Sequence, residues 1–488
     1  MAEDEEQTVT REAVSAAHAA HLERLLRSAT REVVRHHREI SDGDLAPALG
    51  REALQCLLED RFGEFERPWS DEELVGAVSE LLGAGVMHIT HPGYFGLFNP
   101  NVVPASVAGD LLVAGTNPQL AAWSHAPFPN EVERFTLAFL GQSLGLPKGG
   151  FGAHFTAGGA EANHTAISVA LVDRVAGFRE GGARGAEGRP VFYGSTQSHH
   201  SLVKIAVLCG LGQDAVRAVP TDATGRMDTE RLEGLIAQDR EQQAVPFAVV
   251  ATAGTTGMGV VDPLPEIAEL CSREELWLHV DAAWGGAACL SERLRPVLQG
   301  IERADSVTWD AHKYLSVPMG AGMFFCSRPD AVAATFDIET PYMPSAVVET
   351  TDPYSSSMQW SRRAIGLKVF MALASLGHEG MAAQIEHQAD MGELLRRELS
   401  DRGWMLVNDT PLPVVCFTVD EMERGSVEAA QLADAVLSED LWISPLVIAP
   451  DRPRVLRACV TNHLTEERHV AALAEAVTRA RDEALAGQ

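Results

Sequence analysis

The 488-residue chain is short of lysine. Only four of its 39 basic residues, Lys148, Lys204, Lys313 and Lys368, carry an ε-amine, so chemistry that needs one has four candidates. Positive charge is scarce altogether: 39 Lys and Arg stand against 68 Asp and Glu, a net −29 at pH 7. A field of that sign repels polyanions, which excludes a phosphate-tracking nucleic-acid binder and a polybasic membrane binder. The seven cysteines are scattered with no C-x-x-C pair, which argues against a disulfide framework and a structural zinc site. No apolar run reaches the roughly 18 residues of a membrane span. The opening MAEDEEQTVT is acidic and leads into no apolar core, unlike a secretory signal, so the cytoplasm is the expected compartment.

What is present suits a large globular protein: 46% of residues are hydrophobic, enough at this length for a sizeable core. Residues 1–90 read as helices, with Leu22, Leu25, Leu26 and Val33 near helical spacing. From 91 to 360 a Gly/Pro/aromatic stretch, HPGYFGLFNPNVVP, leads through a helix into strands alternating with helices. The strands are Phe151–Thr156, Val191–Gly194, Pro246–Thr252, Leu276–Asp281, Ser306–Trp309 and Ala321–Cys326. Helices at Ala160–Asp173, Thr229–Gln238 and Leu264–Leu270 separate several of them, and GGARGAEGR reads as a surface loop. That alternation predicts an α/β fold with a mainly parallel sheet covered on both faces. Residues 361–488 read as a smaller α+β domain, with a helix at Ala364–Leu376, strands at Val414–Val419 and Arg454–Val460, and a closing helix at Glu466–Ala484.

Open parallel sheets bind ligands beyond the carboxyl ends of their strands, so the polar residues there are the ones to inspect. The first strand ends in TAGGAEAN and enters a helix, where small residues and free N–H groups suit an anion; the same turn also serves as a plain tight connection. LHVDAAWGG delivers Asp281 from an apolar run, where a carboxylate needs a partner: an arginine, a metal or a protonated heterocycle. No cluster of ligands accompanies it, so no metal is expected. DSVTWDAHKYL ends in His312-Lys313, and desolvation at a strand end favours the neutral amine that forms a Schiff base; a buried salt bridge is the alternative. His199 and His200 fall at a strand-to-helix connection, as helix caps or as a ring that stacks on a ligand. In this order, phosphate cradle, aromatic lid, carboxylate and lysine are the parts that hold pyridoxal 5'-phosphate.

With these residues in register the chain resembles the group II pyridoxal-phosphate-dependent amino-acid decarboxylases over about residues 85 to 480. The landmarks are HPGYFGLF, TAGGAEAN, SHHSLVK, ATAGTTGMGVVDP, WLHVDAAWGG, DAHKYL, SRRAIGLK and LRACVTNHLTEE. The resemblance implies a type I, aspartate-aminotransferase-like fold: a mainly parallel seven-stranded sheet with helices on both faces, plus the small C-terminal domain. It implies a homodimer with active sites at the subunit interface, the 1–90 segment clasping the partner. By matched position Lys313 holds the cofactor aldehyde, Asp281 pairs with the pyridine nitrogen, His199 stacks on one ring face and Ala283 packs on the other. Gly159, Ala160 and Thr256 contact the phosphate, and His312 lies beside the lysine. Asp310 stands where relatives often carry asparagine, an anion that would repel the phosphate. Arg362-Arg363 matches a family feature near the site, with interdomain pairing as its alternative. The family's proton donor to Cα is a loop tyrosine; Tyr354 takes that place here, with Tyr342 as its rival.

The implied activity is α-decarboxylation of an L-amino acid to its amine and CO2. Asn117, Gln119 and Ala121 in GTNPQLAAWSHAP give the aligned pocket a polar character, so the substrate is expected to be polar, acidic or small rather than bulky aromatic. Simple dimer packing is the other reading of that stretch. Two further classes share the framework: a carbon–carbon lyase or decarboxylating aldehyde synthase with the same cofactor, and a catalytically silent structural dimer.

Overall fold

In a computed structural model of the chain, β4 (Ala244–Thr252) sends Val249 and Ala251 into one core and Ala248 and Val250 into another, all fully buried. A strand apolar on both faces needs cover on both. The structure describes residues 2–487 except 64, 66, 67, 99, 339, 342, 344–346, 450 and 451, with backbone alone for 2–13. The large sheet comprises β1 (Gly152–Thr156), β2 (Arg189–Ser195), β3 (Val216–Val219), β4, β5 (Trp277–Asp281), β6 (Ser306–Asp310) and β7 (Gly322–Cys326). Their order is β1-β7-β6-β5-β4-β2-β3, and only β7 runs against its neighbours. The Gly159–Arg174 and Ser201–Leu208 helices cover one face, and Thr229–Glu241 and Leu264–Arg273 the other. This is the doubly covered, seven-stranded α/β architecture of the type I fold.

The smaller sheet, β10-β11-β9-β8, is antiparallel: β8 (Met405–Leu406), β9 (Val414–Thr418), β10 (Ser444–Leu446) and β11 (Val455–Cys459). Helices Ala429–Leu437 and Glu467–Ala486 pack on it around Phe417, Leu456 and Leu473. The long Gly366–Asp401 helix joins the two sheets and breaks at Gly377, whose φ of +67° suits a residue without Cβ. That break is why a helix ending at Leu376 was legible; its continuation to Asp401 was not expected. GGARGAEGR is the expected surface loop, with one 3-10 turn at Gly182–Arg184 before β2 begins at Arg189. β3, β8 and β10, of 4, 2 and 3 residues, were not anticipated, being too short to show a period.

Five helices precede the sheets: Ala2–Glu39, Arg51–Phe62 and Asp71–Gly85 in the N-terminal segment, then Pro104–Thr116 and Pro127–Ser143. Ser70 caps the third by accepting from the Glu73 N–H. Leu22, Leu26 and Val33 of the first and Leu74, Val78 and Leu82 of the third are exposed in the single chain. Among the described residues no helix is long and apolar enough to cross a membrane.

Candidate active site

β1, β5 and β6 end at the same edge of the sheet, with β7 between β1 and β6, and the turns that follow them carry the candidate residues. β1 turns at Gly158 into the Gly159–Arg174 helix, and Gly158 accepts the N–H groups of Glu161 and Ala162. The N–H groups of Gly159 and Ala160 have no intrahelical acceptor, as at any helix start, and Ala160 is exposed. A Cβ on Gly159 would lie 2.9 Å from Asp310 Oδ2 and 3.3 Å from the Ala283 Cβ, so glycine keeps this cradle open.

After β6 the turn Ala311–Leu315 brings Lys313 Nζ back to 3.0 Å from Asp310 Oδ2. His312 Nε2 lies 3.7 Å from the same oxygen, and its Nδ1 accepts the Ala321 N–H at 3.1 Å. Burial lowers the pKa of His312; Asp310 opposes the shift and Lys313 adds to it. Asp310 is buried, and its Oδ1 has no protein partner. The other lysines do not compete. Lys148 and Lys204 are exposed, and buried Lys368 is committed to Asp110 Oδ2 at 3.1 Å and the Met319 carbonyl at 2.8 Å.

Asp281, the last residue of β5, is buried and held from two sides. Its Oδ1 accepts the Ala283 N–H at 3.1 Å and its Oδ2 accepts from Asn163 Nδ2 at 2.7 Å. Ala283 in turn accepts the Asp310 N–H at 2.8 Å, tying the two turns together. His199 begins the connection to the Ser201–Leu208 helix and accepts the Ser201 N–H through Nδ1 at 3.2 Å. His199 is exposed in the single chain, and the partial burial it does have lowers its pKa. Asp281 opposes the shift and Lys313 reinforces it, so the three groups share one electrostatic neighbourhood.

Thr256 is exposed at the tip of the Gly254–Gly259 turn, whereas neighbouring Thr255 is fully buried with an unpartnered hydroxyl. The same turn reveals a residue that sequence reasoning missed. Arg457 of β11 is buried and donates to the Gly257 carbonyl at 3.1 Å and the Gly96 carbonyl at 2.8 Å, its guanidinium 5.1 Å over the Phe98 ring. No carboxylate among the described residues pairs with it, and its Nη2 has no partner. A buried guanidinium with a donor unspent is costly unless an anion arrives. The signal was available: one arginine in the apolar run VLRACV.

Other candidates lie elsewhere. Tyr354 sits on a 3-10 turn (Pro353–Ser355), its ring 5.0 Å from Trp360 and its N–H on the Ala121 carbonyl at 3.2 Å; no contact joins it to Lys313 or His199. Tyr342 lies outside the described residues. Asn117 adopts the left-handed conformation that ends the Pro104–Thr116 helix. Gln119 spends its oxygen on the N–H groups of Arg362 and Ala121. Arg362 pairs in the interior with Glu133 at 2.9 Å, and Arg363 pairs at the surface with Asp110 at 3.1 Å.

The donor set fits pyridoxal phosphate. It comprises an amine at a strand end, a carboxylate fixed by two donors, an imidazole in the same field and an anion cradle that a Cβ would fill. The family model for the pyridoxal-dependent decarboxylase conserved domain matches residues 54–420. The chain is 38% identical over 319 residues to the L-2,4-diaminobutyrate decarboxylase of Rhizobium meliloti, covering 64% of this chain and 62% of that protein. It is 32% identical over 352 residues to the cysteine sulfinic acid decarboxylase of Homo sapiens, covering 70% and 69%. The crystal structure of mouse CSAD in apo form superposes with a TM-score of 0.87 at 26% identity, over 95% of this chain and 99% of that one.

Proposed function

The chain belongs to the pyridoxal-dependent decarboxylase family, and from that membership we propose that it removes the α-carboxylate of a polar L-amino acid as CO2, leaving the amine. The observation that carries the proposal is the convergence of Lys313, Asp281 and His199 in one electrostatic neighbourhood beside an open anion cradle. Bound pyridoxal phosphate supplies an electron sink for the bond that breaks.

The chain's own residues take the remaining roles. Lys313 Nζ, 3.0 Å from Asp310, would hold the cofactor aldehyde. Asp281, fixed by Ala283 and Asn163, would pair with the pyridine nitrogen. His199 would stack on one ring face and Ala283 would pack on the other. The N–H groups of Gly159 and Ala160 and the Thr256 hydroxyl would bind the phosphate. His312 stands beside Lys313 and carries its proton on Nε2, because Nδ1 already accepts from Ala321. Arg457, with its unspent donor, meets a carboxylate of the substrate.

We assign the return of a proton to Cα to Tyr354. The exposed apolar residues of the first and third helices, with Leu111, Leu112, Phe128 and Phe135 nearer the sheet, support a homodimer whose N-terminal segments clasp the partner. All seven cysteines are free, five of them buried, which suits the reducing cytoplasm. Among the relatives, one acts on diaminobutyrate and another on cysteine sulfinic acid, which supports a substrate with a polar or charged side chain. These decarboxylases do not favour the aldehyde-synthase or carbon–carbon lyase alternatives.

The test is mass-spectrometric product analysis of cofactor-loaded protein with each common L-amino acid, ornithine, diaminobutyrate and cysteine sulfinate. A product lighter by one CO2, formed by the native chain and not by Lys313→Ala, is the expected result. An aldehyde product, or no turnover of any polar substrate, overturns the proposal.

A further inference from the structure

Beneath Asp281 a row of side chains leads away from the site into the sheet. Trp277, His279 and Asp281 alternate along one face of β5, and β6 sets Ser306 opposite His279 and Thr308 opposite Asp281. The Gly159–Arg174 helix lies over this face and lowers Asn163 between His279 and Asp281. Ser306, His279 and Asn163 are buried to within 1% exposure, so no solvent can exchange the partners.

The direction of every hydrogen bond in the row is fixed by its two ends, an indole that can only donate and a carboxylate that can only accept. An indole N–H can only donate, and Trp277 Nε1 donates to Ser306 Oγ at 2.8 Å. The Ser306 hydroxyl proton is then free for His279 Nδ1, 2.9 Å away. With Nδ1 accepting, a neutral imidazole carries its proton on Nε2, which faces Asn163 Oδ1 at 3.0 Å and Thr308 Oγ1 at 3.3 Å. Burial holds the ring in that neutral form, lowering its pKa to about 4. Asn163 accepts through Oδ1, so its Nδ2, and not its oxygen, meets Asp281 Oδ2 at 2.7 Å.

We infer that Ser306 and His279 are positioning residues which, through Asn163, fix the amide donor that holds Asp281 in place for the cofactor. The inference rests on the assignment of Asp281 to the pyridine nitrogen. Without the Ser306 hydroxyl, His279 Nδ1 loses its donor, and only the Asn163 oxygen is left to favour a proton on Nε2. The ring can then present an acceptor to Asn163, the amide turns over, and two oxygens face each other at Asp281. The alternative role for these residues is to fill space between helix and sheet, and it makes different predictions. Serine to alanine scarcely changes volume, and asparagine to aspartate is isosteric, yet both reverse or erase the donor direction.

The experiment measures the dissociation constant for pyridoxal phosphate, by quenching of tryptophan fluorescence, together with the thermal unfolding midpoint of the same proteins without added cofactor. The variants are Ser306→Ala, Ser306→Thr, His279→Gln, Asn163→Asp and Asp281→Asn. Ser306→Ala is expected to weaken binding about tenfold, and Asn163→Asp about a hundredfold, the range for losing or inverting a hydrogen bond to a charged group. Ser306→Thr keeps the hydroxyl, and His279→Gln keeps a donor towards Asn163 and an acceptor towards Ser306, so both stay near the native constant. The unfolding midpoint of Ser306→Ala stays near the native one. Native affinity in Ser306→Ala and Asn163→Asp beside a loss in Asp281→Asn overturns the relay. Equal losses in Ser306→Ala and Ser306→Thr that track the unfolding midpoint overturn it in favour of packing. Native affinity in Asp281→Asn overturns the assignment of Asp281 itself, and the relay with it.

Discussion

Removing Arg362 should unfold the protein more readily at pH 8 than at pH 5. Its guanidinium and the Glu133 carboxylate are 2.9 Å apart and exposed to only 2% and 6%. At an effective dielectric of about 20 the attraction is about 6 kcal/mol, most of it offset by the cost of taking both charges out of water. Arg362 also donates to the Phe155 carbonyl at 3.2 Å, and Glu133 receives the Gly366 N–H at 3.0 Å. The pair thus pins the end of β1, just before the cradle, to the start of the Gly366–Asp401 helix. Truncating one partner strands the other, which costs about 3–5 kcal/mol. Burial already raises the pKa of Glu133 above 4.5, with Arg362 opposing the rise. An acid whose folded pKa is raised takes up a proton on folding. Its contribution to stability therefore falls as pH climbs from its unfolded value through its folded one. Loss of Arg362 pushes the folded value higher and extends that window upward. Unfolding midpoints of native, Arg362→Met, Glu133→Gln and the double variant at both pH values make the assay. The expected result is a defect in Arg362→Met that shrinks towards pH 5 and is partly repaired by Glu133→Gln. A defect of equal size at both pH values, or a double variant as weak as Arg362→Met, refutes the reasoning.

Gly159→Ala would place a methyl 2.9 Å from Asp310 Oδ2 and 3.3 Å from the Ala283 Cβ. Equilibrium dialysis should show about tenfold weaker retention of pyridoxal phosphate with little change in the unfolding midpoint, an overpacking cost confined to the cradle. Acid should destabilise the fold through histidines held neutral by burial: His154 is lowered from 6.5 to about 3 and His463 to about 4. A depressed folded value means stability present above 6.5 and lost as pH falls towards 4, by about 2 kcal/mol for His154 at pH 5. Unfolding midpoints between pH 7 and 5 should follow that slope, and His154→Gln should flatten it.

Much of this architecture could be read from sequence because its signals are local. Apolar runs ending in Thr156, Asp281 and Trp309 mark β1, β5 and β6 to within a residue or two, and the residues just beyond them meet at one end of the sheet. What escaped depends on partners far along the chain. Gln119 looked like a polar pocket wall, but its oxygen is taken by the N–H of Arg362, 243 residues on. Arg457 was passed over inside the Arg454–Val460 strand, because the carbonyls of Gly96 and Gly257 that meet it lie far along the chain. His279 was not singled out, although its alternation with Trp277 and Asp281 is visible in the sequence. A period of two reports which residues share a face; it does not report the asparagine that a helix lowers onto them.

Asp310 illustrates how such long-range gaps can sit beside a local solution. Read as a lone anion near a phosphate cradle, it was unfavourable, since a buried carboxylate needs compensation. The turn after β6 supplies it within three residues. Lys313 folds back to 3.0 Å, and His312 stands at 3.7 Å with its Nε2 towards the same oxygen. Asp310 therefore holds Lys313 at the strand end until a cofactor aldehyde competes for the amine, so Asp310→Asn should change the rate of cofactor loading before it changes the fold. The opposing charge whose absence made Asp310 look misplaced in the sequence is supplied by the lysine on which the proposed chemistry depends.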